Sequence, residues 1–217
     1  MSSVSEWIVR EYFEMQGYLV SQPCKYAPSG RRKRLDEEVD LVVVNPLIAE
    51  LKLPDYMIWT TADLKSVPRA VVGIYGWHTE RFYPTMLAQI PEMLRFASEE
   101  SVRLVSRRLG GAPLAKILCF PQLPASENLR TDTLKLLKQK GVDGVLLFRT
   151  LLQELATGVD INKNYDKSDL LQMLRIMKNY DLIKTPQMEL FGSRKRRQTK
   201  VKPPAAAPAA VTPAPAG

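Results

Sequence analysis

Histidine and cysteine are almost missing from this 217-residue chain, which has one histidine, His78, and two cysteines, Cys24 and Cys119. A structural zinc site needs four such ligands at short spacing, and a disulfide framework needs paired cysteines, so neither is expected. Isolated thiols, one of them inside the apolar run KILCF, suit a reducing compartment, and the cytoplasm is the expected location. Long apolar runs are missing as well. No stretch nears the roughly 18 residues of a membrane span, and the opening MSSVSEWIVREYFEMQG carries charges within its first apolar stretch, unlike a signal peptide. No membrane partner is expected. Nor is there a phosphate-cradling glycine loop, a dinucleotide fingerprint, a nucleophile elbow or a kinase signature.

Acidic residues are absent from the last stretch of the chain. From Gly192 onward it holds Arg194, Lys195, Arg196, Arg197, Lys200 and Lys202, then PPAAAPAAVTPAPAG. Those six bases supply most of the formal net charge of +8. A segment of this composition cannot bury a core. Residues 186–217 are therefore expected to be a disordered tail, basic and then Pro/Ala-rich, behind a single α/β domain over residues 1–185. The basic run reads equally as a phosphate-binding arm and as a solubilising tail.

Within the domain, periodicity predicts a helix over 4–16, with Val4, Trp7, Ile8, Tyr12 and Met15 near one face and Gly17 as its stop. A strand starts at Tyr18-Leu19-Val20. The polar loop from Ser21 to Glu38 carries Arg31, Arg32, Lys33 and Arg34, placed where a loop can reach a phosphate backbone. Val39–Val44 reads as a strand closed by Asn45-Pro46, and Leu47–Leu53 as its return strand. A short helix follows near 61–67. Arg69–Tyr75 is expected as a buried strand beside Val39–Val44. The second half alternates: a helix over about 85–109 interrupted by Pro91, strand 114–120, helix 128–140, strand 145–148 and helix 167–179. Leu170, Leu171, Leu174 and Met177 lie at core spacing on that last helix, beside Met173. The expected fold is a mixed sheet, antiparallel in its N-terminal strands and parallel in its βαβ second half, with helices on both faces.

That order, with three local matches, resembles the PD-(D/E)XK nuclease superfamily, particularly its resolvase-like and restriction-endonuclease-like branches. Glu6 followed by Gly17-Tyr18 resembles the family's opening helix. EEVDLVVV, residues 37–44, resembles its acidic strand with Asp40 at the start. KILCFPQ, a helix and GVDGVLLF resemble its closing strands. The resemblance covers roughly residues 4–150. It implies a Mg²⁺-dependent DNA endonuclease in which Asp40 and a second carboxylate hold the ion, a lysine positions water, and Glu6 is a supporting acid.

Two places compete for the family's Glu-x-Lys. Glu50-Leu51-Lys52 has the right residues, and a three-residue hairpin loop would set Lys52 opposite Asp40 with Glu50 on the same face. The strand AVVGIYGWH has the right position, because it leads through Gly76-Trp77 into the long helix, but it offers Gly73 and Tyr75. The first alignment implies a nuclease with Asp40 and Glu50 as metal ligands. The second implies a catalytically inactive nuclease fold that holds nucleic acid or a protein partner. Tyr75, Trp77, His78, Glu80 and Arg81 gather polar and aromatic groups at a strand end, where open α/β sheets bind ligands. They form the alternative pocket, although a lone histidine is more often structural. Glu6 also has a plain structural use at a helix N-terminus, where Ser3 and Ser5 could cap.

Overall fold

The β-branched runs dictate the centre of the fold. In the computed structural model, which describes residues 3–23, 39–76, 78 and 81–183, β2 (Leu41–Val44) lies between β1 (Leu19–Ser21) and β3 (Arg69–Ile74), antiparallel to both. Strand β3 continues into a parallel pair with β4 (Ala115–Phe120), and β4 pairs in parallel with β5 (Gly144–Leu147). The five strands therefore run in sequence order across one mixed sheet. Strands buried on both faces need no polar alternation, which is why RAVVGI and AKILCF read as continuous apolar runs.

Side-chain alternation divides the sheet into two apolar layers. Leu41, Val43, Ala70, Val72, Ile74, Ile117 and Cys119 point to one side. There they meet Ile8, Val9, Tyr12 and Phe13 of α1 (Ser3–Met15), Leu151 and Leu155 of α6 (Phe148–Gly158), and Leu174 of α7 (Asp169–Asn179). Val42, Val71, Leu118, Phe120 and Val145 point to the other side. They are covered by α3 (Pro84–Gln89), a 3₁₀ helix (Pro91–Ala97), α4 (Glu99–Arg108) and α5 (Glu127–Gln139). A short helix, α2 (Thr61–Leu64), precedes β3. At about 1.5–3 kcal/mol for each large apolar side chain taken from water, these layers are the main stabilising term. Helix α1 ends where Gly17 adopts φ 83°, which lets the Tyr18 amide donate back to the Phe13 carbonyl at 3.0 Å.

Several expectations change. Residues 47–53 form no strand: both edges of β2 are already taken, by β1 and β3. Asn45 accepts the Leu47 amide on Oδ1 at 3.0 Å, which turns the chain away from the sheet. The expected helix over 85–109 is three pieces, broken at Pro91, which cannot supply an amide hydrogen, and restarted at Ser98, whose hydroxyl caps α4 by accepting from the Ser101 amide. Helix α6 follows β5 with no intervening loop and was not expected. On α1 the core face is Ile8, Val9, Tyr12 and Phe13, whereas Val4 and Trp7 are about half exposed. Met173 is likewise exposed on α7 while Leu174 is buried. The described residues up to 183 belong to one compact unit. The basic run 194–202, the Arg31–Arg34 loop, Trp77, Glu80 and Cys24 lie outside the described residues. Among the described residues no helix is long and apolar enough to cross a membrane.

Candidate functional site

Strand β3 sorts the expected site residues by its two ends. At its carboxyl end, the β2–β3 register pairs Leu41 with Val72, and continuing by one residue sets Asp40 against Gly73. In this part of β3 the amide of Tyr75 points to β4, donating to the Cys119 carbonyl at 2.9 Å. The amide of Ile74 points the other way and donates to Asp40 Oδ2 at 2.7 Å. A carboxylate thus ends the β2–β3 ladder where a main-chain carbonyl would otherwise stand. Its charge also reaches Cys119. Burial raises that thiol well above its ordinary range, Asp40 adds to the rise, and the sulfur is held as an unreactive thiol.

The first turn of α1 sits over the same end. Ser5, fully buried, does not cap the helix; its Oγ lies 3.1 Å from His78 Nε2. The approach depends on Gly76, since any Cβ there would collide with the Ser5 hydroxyl. The His78 ring stands edge-on to Phe148, the first residue of α6, with centroids 4.7 Å apart. Glu6, the next residue of that α1 turn, is half-buried. Tyr75 is half-buried and meets Phe82 edge-on at 6.4 Å, and Arg81 is exposed. Asp40, Glu6, Tyr75 and His78 therefore all belong to the carboxyl end of β3.

Glu50 and Lys52 belong to the other end. The Lys52 amide donates to the Ser66 carbonyl at 2.9 Å, and the Ser66 hydroxyl donates to the Lys52 carbonyl at 3.0 Å. Ser66 precedes the first residue of β3. The six residues of β3, at about 3.3 Å each, separate this loop from Asp40 by on the order of 17 Å. Glu50 and Lys52 pair with one another at 3.7 Å, both more than 70 % exposed: Lys52 75 % and Glu50 78 %. The hairpin register that would have set Lys52 opposite Asp40 does not form. An ion with ligands near 2.1 Å cannot join Asp40 to Glu50 across that distance.

The competing position is closed by packing. An ideal Cβ at Gly73 would fall 2.6 Å from Cδ1 and Cε1 of Phe96, a fully buried residue of the 3₁₀ helix. Phe96 thus fills the space that a longer side chain at residue 73 would need. Among the described residues no group of three or more His, Cys, Asp or Glu side chains converges as metal ligands would. Among the described residues, Asp40, Glu50 and Lys52 are not gathered as one Mg²⁺ site would need them.

Two features outside the expected set complete the polar map. At the amino ends of β4 and β5, Asp143 Oδ2 accepts the Lys116 amide at 2.8 Å and Oδ1 lies 3.6 Å from the Lys116 ammonium. Burial nonetheless leaves the Asp143 carboxyl above its ordinary range, the Lys116 contacts offsetting only part of the rise. Between α1 and α7 an open groove of about 480 Å³ is lined by Glu11, Glu14, Asn164, Asp166 and Ser168. There the Ser168 hydroxyl donates to Glu11 Oε1 at 2.6 Å and accepts the Leu171 amide, capping α7. Sequence reading gave Ser5 only a capping role and missed Phe96 and Phe148 at the β3 end, because contacts between residues 73, 23 or 70 positions apart leave no local signal. No family model matches the chain, and no significant match was found among curated proteins or solved structures.

Proposed function

We propose that this chain is a restriction-endonuclease-like protein without nuclease chemistry, which binds nucleic acid non-specifically as a scaffold. The observation that carries the reading is Gly73 lying opposite Asp40 with Phe96 packed over it. Asp40 holds a ladder amide, and Glu50 and Lys52 lie at the other end of β3, paired with one another. The strand order, helix then three antiparallel strands then two parallel ones with intervening helices, supports the resemblance in fold. The bases at 194–202 and 31–34 support nucleic acid as the partner, since clustered Lys and Arg neutralise phosphates without reading base edges.

A salt titration tests the binding half of this reading. If the run from Arg194 to Lys202 engages four to six phosphates, the log–log slope on duplex DNA should be about −4 to −5, at roughly −0.9 per phosphate. Replacing the six bases of that run by serine should flatten most of the slope while leaving the melting temperature within a degree or so. No binding by wild-type protein at low salt would overturn the nucleic-acid reading and leave a protein partner as the better one.

A further inference from the structure

The two helical layers differ in charge. Residues 84–108 and 127–140, covering one face of the sheet, carry eight basic and five acidic side chains; residues 3–15 and 148–179, covering the other, carry six and seven. Residues 127–140 supply two of those three extra positive charges and residues 84–108 one, but on α4 both acids, Glu99 and Glu100, sit in the first turn and leave the rest of the helix basic. From Ser101 to Ser126 the chain holds Arg103, Arg107, Arg108 and Lys116 and no acid at all. Val105 and Ser101 turn α4 inward, while Arg103, Arg107 and Arg108 are exposed on its outer side. Arg103 and Arg107 stand one turn apart, about 6 Å along the axis, and among the described residues neither forms an ion pair with a carboxylate. Arg107 and Arg108 also complement the negative end of the helix, but Arg103, a turn earlier, has no such use. Past the helix, Gly110 and Gly111 leave open space around their backbones, so nothing crowds this end.

We infer that the outer face of α4 is the surface through which the folded domain meets a nucleic-acid phosphate backbone, with Arg103 and Arg107 as its contacts. The inference rests on the nucleic-acid reading above and adds which side of the domain faces the strand. The test compares full-length wild type, R103Q/R107Q and K163Q/K167Q on one DNA duplex across a salt series, with melting curves for each. The last pair removes the same charge from the opposite layer. Losing two phosphate contacts should make the slope of R103Q/R107Q shallower by about 1.8 and weaken binding at low salt, with K163Q/K167Q close to wild type. Equal losses from both pairs would mean only net charge matters and would overturn the assignment, as would an unchanged slope in R103Q/R107Q while wild type binds. Absence of wild-type binding would overturn the nucleic-acid reading itself, and this inference with it.

Discussion

Substituting alanine at Gly73 probes the closed position beside Asp40. The new Cβ would sit 2.6 Å from two carbons of the Phe96 ring, whereas ordinary carbon contacts lie near 3.5–4.0 Å. Ring or strand must yield by about 1 Å. Neither has room, because Phe96 is buried in the same layer as Met93, Val71 and Leu118, and β3 is paired on both edges. Overpacking of this kind costs about 1–3 kcal/mol, and the smaller chain entropy of alanine in a strand returns about 0.5–1 kcal/mol. A net loss of about 0.5–2 kcal/mol should lower the melting temperature by a few degrees in a domain of this size. Urea denaturation followed by circular dichroism measures it. In a Phe96→Leu background the same change should cost at least about 1 kcal/mol less, a coupling that only direct contact produces. A Gly73→Ala protein as stable as wild type, or one whose cost ignores residue 96, would refute the packing argument.

Asp40→Ala should cost about 1.5–3 kcal/mol, the usual worth of a hydrogen bond to a charged group, and should speed amide exchange at Ile74, while Asp40→Asn, which keeps an acceptor, should cost less; unaltered exchange at Ile74 in Asp40→Ala would contradict the ladder role. Asp143 gives a pH signature. Its carboxyl is raised in the folded state, so the folded chain holds that proton more tightly than the unfolded one. Its contribution is fully present below the unfolded value of about 4 and is lost as pH rises through the higher folded value. Melting temperatures from pH 3 to 7 should therefore show a component that falls with pH and vanishes in Asp143→Asn; identical profiles would count against it.

The strands were legible because burial on both faces writes them as short β-branched runs, and the Gly76 exit from β3 marked the right neighbour for Val39–Val44. The partners of a strand were harder to read. Glu50-Leu51-Lys52 fits a hairpin by residue parity, yet parity does not reveal that β1 already occupies the free edge of β2. Chemistry at the β3 end was half legible: Asp40 and His78 stood out as residue types, but Ser5 and Phe96 are ordinary residues made specific only by what they touch. Helix α6 escaped because FRTLLQELATG begins at the last expected residue of a strand, with no polar cap to announce it.

Incubation of supercoiled plasmid with the purified full-length protein in Mg²⁺ and in Mn²⁺, beside Asp40→Ala and Lys52→Ala, tests the central claim most directly. Glu50 and Lys52 lie a strand's length from Asp40 and Phe96 fills the place beside it, so no nicking above a buffer control is predicted for any of the three. Nicking by wild type that disappears in Asp40→Ala and in Lys52→Ala would contradict the account, because it would require the two ends of β3 to act on one phosphate.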